Sequence, residues 1–167
     1  MGKKRNRIKI MKQHREGLGR LVMMTKMDYG ADIFLNGFNC AQAVFSSFSN
    51  DYGLDATTAR RIASGLGSGA RVAEMCGAVS GAVLVIGLKY GQKTAADVDM
   101  KLKCNAETEE FMRRYRVANG HIVCRNLLGC DIMTETGLEC AIEKKLFTTK
   151  CKDLVVSAIE ILIDMGY

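Results

Sequence analysis

Apolar residues recur three and four positions apart along most of the chain, and glycines separate the segments that carry this spacing. No segment shows the alternation of apolar and polar residues that is typical of a β-strand. The pattern predicts helices over about 17–36, 40–51, 55–63, 73–89, 97–117, 121–128 and 134–145, and a last one from about 149. We expect a break in the first segment near Gly30. The predicted fold is all-α, a compact single-domain bundle of about six to eight helices.

Several of these segments begin with a residue that can cap a helix. Asn39 is followed three positions later by Gln42, which is a variant of the capping box. Asp55, Thr134, and Thr148 or Thr149 precede three other segments in the same way. Proline is absent from the chain, so no helix is interrupted by a proline. The start signals therefore agree with the apolar pattern.

The longest apolar run extends from Cys76 to Leu88. It is too short to cross a bilayer, which takes about 20 residues, and it therefore predicts a buried core helix. Gly77 and Gly81 lie four positions apart on one face of this helix and would let a second backbone approach closely. The same glycine face could also pack against a second copy of the chain, so a homodimer is one possible assembly.

The basic residues are concentrated at the start of the chain. The net charge is +6, and residues 1–15 contain seven lysines and arginines and no acidic residue. We therefore divide the chain into a basic N-terminal extension, 1–26, and a helical domain, 27–167. A basic tail is more often a solvated arm than a binding device, and no surface of basic and aromatic residues accompanies it. We expect no nucleic-acid partner.

The chain contains seven cysteines and shows no secretory signal. An odd number of cysteines without an export signal argues against a secreted disulfide scaffold. The expected location is the cytoplasm, a reducing compartment in which thiols serve chemistry, metal ligation or packing.

Four cysteines fall in or near the first turn of a predicted helix: Cys40, Cys76, Cys124 and Cys151. Helix N-termini carry unpaired N–H groups and a partial positive charge, so a thiol there ionises more easily. Cationic neighbours in the sequence strengthen the expectation: Arg71, Arg125, Lys150 and Lys152. Cys104, Cys130 and Cys140 lack this arrangement. The alternative for each cysteine is inert packing, because free cysteine is often buried as a small hydrophobe.

The glycine-rich loop before the apolar helix, residues 65–69, has two interpretations. It is either a flexible connection or a nest of N–H groups that faces thiolate, sulphide or substrate oxygens. It is not a nucleotide-binding P-loop, because no Gly-Lys-Ser/Thr follows. In the second interpretation, the residues that contact a cofactor would be Gly67, Gly69, Gly77 and Arg125. His121 could tune Cys124 from three positions away, or be an ordinary exposed histidine.

In order along the chain, four segments resemble the C-GCAxxG-C-C family of redox-active proteins. They are residues 37–44 around Cys40, residues 61–81 with the run Cys76-Gly77-Ala78-Val79-Ser80-Gly81, residues 124–131, and Lys150-Cys151. The resemblance covers roughly residues 27–165. Its four characteristic cysteines fall on Cys40, Cys76, Cys124 and Cys151, and it implies a short helical domain with redox activity. By analogy, it also implies a [2Fe–2S] cluster held by these four thiols.

We expect these four cysteines to be catalytic or metal-ligating residues that meet at one end of the bundle. If all four sulphurs converge, they would hold a [2Fe–2S] cluster for electron transfer. Without a cofactor, two of them would cycle between dithiol and disulfide, with a protein or small molecule as redox partner. The non-catalytic alternatives are a zinc site at the same sulphurs and a helical interaction module with inert cysteines.

Overall fold

The computed structural model describes residues 24–167, and it contains eight α-helices in that range. In chain order they are α1 Lys26–Leu35, α2 Cys40–Ser46, α3 Ala56–Ile62, α4 Gly77–Tyr90, α5 Val98–Asn119, α6 Cys124–Leu128, α7 Glu135–Glu143 and α8 Lys150–Asp164. Between residues 24 and 167 the only β pairing is one isolated bridge, Met75 with Val123. The predicted all-α class is confirmed. Most of the predicted basic extension, and the part of the first helix before residue 24, lie outside the described residues.

The first two helices begin at capping boxes. Thr25 and Asp28 cap α1, and Asn39 and Gln42 cap α2 as predicted. The predicted break at Gly30 is wrong, because α1 continues through it. Gly30 is buried there, and a Cβ at this position would overlap the side chain of Ile159. This glycine therefore serves close packing of α1 on α8.

Helix α4 is the buried centre of the fold, as the apolar run predicted. It begins at Gly77 rather than near Ala73, because residues 68–73 form a tight turn in which several residues are left-handed. Gly77 and Gly81 face α2: a Cβ on Gly81 would lie 2.7 Å from the Ala41 carbonyl oxygen. The close helix approach is confirmed. Because both glycines are covered within the chain, this face is not available for contact with a second copy.

The C-terminal third consists of two short helices and one longer one. Thr134 caps α7, accepting a hydrogen bond from the Gly137 N–H at 3.1 Å. Thr149 occupies the N-cap position of α8, although its hydroxyl donates to the Lys145 carbonyl oxygen instead of capping. The predicted apolar face of α8 is buried. His121 precedes α6 and does not share its face, because α6 begins only at Cys124.

The buried side chains form two clusters. The larger one joins α2, α4, α5 and α8; the smaller one contains Ala73, Cys124, Leu128, Ile132, Ala141 and Cys151. Phe34 and Cys40 are partly buried and pack against both clusters. None of the helices between residues 24 and 167 combines the length and the apolar character needed to cross a lipid bilayer.

Candidate functional site

A cavity of about 260 Å³ lies where the two clusters meet, and all four characteristic cysteines line it. They are Cys40, Cys76, Cys124 and Cys151. Cys76, Cys124 and Cys151 are buried, with 3%, 7% and 7% of their surface exposed, and Cys40 is partly buried. The other lining residues are mostly apolar, among them Phe34, Phe38, Leu128 and Phe147. The cavity is thus a largely dry site whose chemistry is that of thiols.

Each of these cysteines stands at the start of a helix, as the sequence predicted. Cys40 and Cys124 are the first residues of α2 and α6, Cys76 is the N-cap of α4, and Cys151 is the second residue of α8. The helix starts converge because α2, α4 and α8 pack in one core. Residues that are far apart in sequence therefore meet at one place.

The isolated bridge joins the segments that carry Cys76 and Cys124. The Cys76 N–H donates to the Ile122 carbonyl oxygen at 2.8 Å, and the Cys124 N–H donates to the Glu74 carbonyl oxygen at 2.6 Å. The Arg125 guanidinium pairs with the Glu74 carboxylate across the same segments. This short antiparallel contact places the two thiols on the same wall of the cavity.

Cys40 and Cys151 form a thiol pair. The Cys40 thiol donates a hydrogen bond to the Cys151 sulphur, and this bond lowers the pKa of Cys151 although burial acts in the opposite direction. The same bond raises the pKa of Cys40 well above its ordinary value, together with burial and the neighbouring thiols. Cys151 is therefore the cavity thiol that ionises first, and Cys40 holds the proton beside it.

The other two thiols are held in the neutral form. Burial raises the pKa of Cys76 more than hydrogen bonds from the Ala78 and Val79 N–H groups lower it. Burial and the neighbouring Cys76 and Cys151 raise the pKa of Cys124 to about 12. The expectation that all four thiols ionise more easily is thus wrong for three of them. In a dry cavity, loss of hydration outweighs the helix N-terminus.

The cationic neighbours in the sequence are not among the main influences on the pKa values of the thiols. Arg125 pairs with Glu74 and lies 3.6 Å from Asp131, and Lys152 pairs with Asp153 at 3.1 Å. None of the basic residues predicted to help is among the influences on the pKa values of the four cavity cysteines. The charges of Arg125 and Lys152 are directed to carboxylates.

The residues proposed to contact a cofactor are placed differently from one another. Gly77 lines the cavity, as does Ser68 of the glycine-rich segment, whereas Gly67, Gly69 and Arg125 do not. A Cβ on Gly67 would press on the Asn39 side chain, and Gly69 has a left-handed φ of 63° in the tight turn. His121 is exposed, and its ring contacts Asn126.

Sequence reasoning missed Tyr115 of α5. This fully buried side chain has two acceptors within reach of its hydroxyl: the Leu154 carbonyl oxygen at 3.4 Å, and the Cys76 sulphur. Burial raises the pKa of Tyr115, so it remains a hydrogen-bond donor. Its spacing four residues after Phe111 is typical of an ordinary core stripe, and nothing in the sequence connects it to a cysteine.

The cavity residues fit a thiolate-ligated metal group in donor type but do not form a ready site for a single metal ion. Four thiols are the ligand set of a [2Fe–2S] cluster. Among the residues that the structure describes, however, no three Cys, His, Asp or Glu side chains lie close enough together to hold one metal ion. The chemistry below is therefore derived from the thiols alone.

Comparison with protein-family models gives one match, over residues 38–165, to the family described as "Putative redox-active protein (C_GCAxxG_C_C)". Comparisons with curated proteins and with solved structures give no match. The matched residues include every cysteine of the cavity and more than half of the chain. All four cysteines that line the cavity lie within the matched residues, and the chain belongs to the C_GCAxxG_C_C family of redox-active proteins.

Proposed function

We propose that the protein carries out thiol–disulfide exchange, with Cys151 as the attacking thiolate and Cys40 as the resolving thiol. The observation that carries the proposal is that Cys40 and Cys151 line one cavity and act on each other's pKa in opposite directions. The thiolate is the nucleophile in such reactions, and here one thiol lowers the pKa of the other. The two sulphurs that must finally bond are already neighbours.

The reaction begins with a disulfide of the redox partner, written R–S–S–R. The Cys151 thiolate attacks one of its sulphurs, a Cys151–S–S–R bond forms, and one R–S⁻ leaves. Cys40 then passes its proton to the R–S⁻ that has just left and, as a thiolate, attacks the Cys151 sulphur. The Cys40–Cys151 disulfide forms, the second R–S⁻ leaves, and two electrons have passed from the dithiol to the partner.

Cys76 and Cys124 support this reaction as neutral thiols. Their raised pKa values keep negative charge away from the pair, since two thiolates in one dry cavity would repel each other. The apolar lining, including Phe38 and Phe147, limits access of water to the sulphurs. The partner must therefore present its disulfide at the cavity opening.

The test is a redox titration of the purified full-length protein in buffers of reduced and oxidised dithiothreitol. We expect a loss of two free thiols and, after non-reducing digestion, a peptide with Cys40 joined to the peptide with Cys151. Cys151→Ser should abolish formation of this disulfide. Cys104→Ser, which removes a half-buried thiol inside α5, is the matched control and should leave it unchanged. A Cys40–Cys151 pair that stays reduced while other thiols oxidise contradicts the proposal.

A [2Fe–2S] cluster is the second candidate, and the observation that favours it is that four thiols line one cavity. Iron and sulphide analysis, together with the visible spectrum of anaerobically purified protein, distinguishes the two. If the protein contains equal amounts of iron and acid-labile sulphide, and Cys40→Ser loses both, the result supports the cluster and contradicts the dithiol mechanism. A zinc site would instead give a colourless protein that is destabilised by chelation.

A further inference from the structure

The side chains that line the cavity carry no charge. Within the described part of the chain, residues 24–167, the lining contains no Asp, Glu, Lys, Arg or His, and three phenylalanine rings belong to it: Phe34, Phe38 and Phe147. The Arg60 guanidinium lies 5.1 Å from the ring centre of Phe38, but Arg60 is not itself a lining residue. A charged group that entered this cavity would leave water without meeting a counter-charge, which is costly. The lining therefore favours an uncharged occupant.

The polar side chains of the lining, apart from the thiols, are those of Asn39 and Ser68. Both ends of the Asn39 amide are engaged. Its oxygen accepts a hydrogen bond from the Gln42 N–H at 3.0 Å, and its nitrogen donates one to the Ser64 carbonyl oxygen at 2.8 Å. Ser68 adds one hydroxyl group, which can form a hydrogen bond with a small polar group but cannot balance a charge.

The volume of the cavity limits the size of its occupant. An apolar cavity of about 150 Å³ can hold one benzene molecule, whereas sites for drug-sized ligands begin at about 300 Å³. The present cavity, at about 260 Å³, has room for a molecule somewhat larger than benzene. Only 7% of the Cys151 surface is exposed, so a disulfide must enter the cavity to meet its sulphur. A disulfide with short substituents fits this space better than one held between two protein backbones.

We propose that the substrate of the cavity is a small, uncharged disulfide with short alkyl or aryl groups on its two sulphurs. The assignment rests on the proposed function, because it names the substrate of the same exchange. The Cys151 thiolate bonds to one substrate sulphur, and the substrate S–S bond breaks. The first R–S⁻ takes the Cys40 proton, and the Cys40 thiolate bonds to the Cys151 sulphur. The second R–S⁻ leaves and takes a proton from water, so the substrate gains two electrons and the protein gains one disulfide.

Three soluble disulfides of similar length test the role of charge. Bis(2-hydroxyethyl) disulfide is uncharged, cystamine carries two ammonium groups, and dithiodiglycolate carries two carboxylates. The rate at which each forms the Cys40–Cys151 disulfide in the reduced full-length protein is divided by its rate with the thiols of the urea-unfolded protein. This ratio removes the difference between the leaving thiols. We expect it to be about tenfold or more higher for the uncharged reagent. A charged reagent with an equal or higher ratio overturns the proposal.

A charge placed in the lining should change this preference. Ser68→Asp adds a carboxylate at a residue with a left-handed φ of 54°, a conformation that aspartate tolerates. The rate of cystamine relative to bis(2-hydroxyethyl) disulfide should increase about threefold or more, because the ammonium gains a counter-charge. Thr57→Asp adds the same charge at an exposed position of α3 outside the lining, and is the matched control. An equal increase in both variants would contradict a charge preference of the cavity.

Benzene tests the cavity without thiol chemistry. We expect it to raise the unfolding temperature of the reduced full-length protein, and to slow the reaction with bis(2-hydroxyethyl) disulfide by competition. If none of the three disulfides produces a Cys40–Cys151 bond although benzene stabilises the protein, the proposed function fails, and its substrate with it. If all three react with equal ratios and benzene has no effect, the exchange reaction stands and only the substrate assignment is overturned.

Discussion

The two pairs of thiols that line the cavity differ in what determines their pKa values. The Cys151 sulphur interacts with the Cys40 thiol, and no basic side chain contributes to its lowered pKa. For Cys76 and Cys124 burial has the largest effect, and it raises the pKa of both. A buried thiolate next to a buried cation would need both charges to leave water, which is costly. A neutral thiol as the partner of Cys151 avoids that cost.

The comparison also shows that a position at a helix N-terminus does not by itself lower the pKa of a cysteine. All four cavity cysteines stand at helix starts, yet only Cys151 has a lowered pKa. Backbone N–H groups do lower the pKa of Cys76, but burial has the larger effect. The partner of each sulphur, and not its helix position, separates the reactive thiol from the neutral ones.

The largest expected effect comes from separating α2 and α4, which should disturb the cavity that their N-terminal cysteines line. In Gly81→Ala, the new Cβ would meet the Ala41 backbone at 2.7 Å, so the helices must move apart. We expect a loss of about 2–3 kcal/mol in the free energy of unfolding, measured by urea denaturation. Gly87→Ala, on the same helix with open space around it, should gain about 0.5–1 kcal/mol. Equal unfolding free energies for the two variants would contradict the close packing of Gly81 against α2.

A smaller effect is expected from removing the neutral donor of the cavity. Cys40→Ala leaves burial as the remaining influence on Cys151, so the pKa of Cys151 should rise. At pH 7.5 a smaller fraction is then thiolate, and alkylation of Cys151 by iodoacetamide should slow about tenfold for each unit of pKa. The midpoint of the rate against pH should move upward. Lys144→Gln, at a residue that does not line the cavity, is the control, and an equal shift of the Cys151 profile in that variant would contradict the role of Cys40.

The smallest expected effect concerns the hydroxyl of Tyr115. Tyr115→Phe removes the donor to the Leu154 carbonyl oxygen and to the Cys76 sulphur. We expect a cost of about 1 kcal/mol in unfolding free energy and a further rise in the pKa of Cys76. Tyr29→Phe in α1 is the control, because within residues 24–167 its hydroxyl makes no hydrogen bond, and an equal cost there would remove the special role of Tyr115.

The features that could be predicted from the sequence are those set by neighbouring residues. The capping box at Asn39, the cap at Thr134, the close approach at Gly77 and Gly81, and the helix-start positions of the four cysteines all follow from local patterns. These positions were also enough to select the cysteines that the structure brings to one cavity.

The features that could not be predicted depend on contacts between distant segments. The bridge of Met75 with Val123 joins positions that no local pattern relates, and the same is true of Tyr115 with Cys76. The left-handed turn escaped prediction because Ser68, Ala70 and Arg71 are not residues that favour positive φ. The pKa directions depend on burial and on the facing thiol, neither of which can be derived from the order of residues.

A disulfide between Cys40 and Cys151 would connect the start of α2 to the start of α8, and so enclose most of the domain. Enclosing about 100 residues removes about 4.7 kcal/mol of unfolded-chain entropy in the loop-closure model. Heat resistance would therefore report the oxidation state of the cavity. By linkage, the folded domain would in turn make this long-range disulfide harder to reduce.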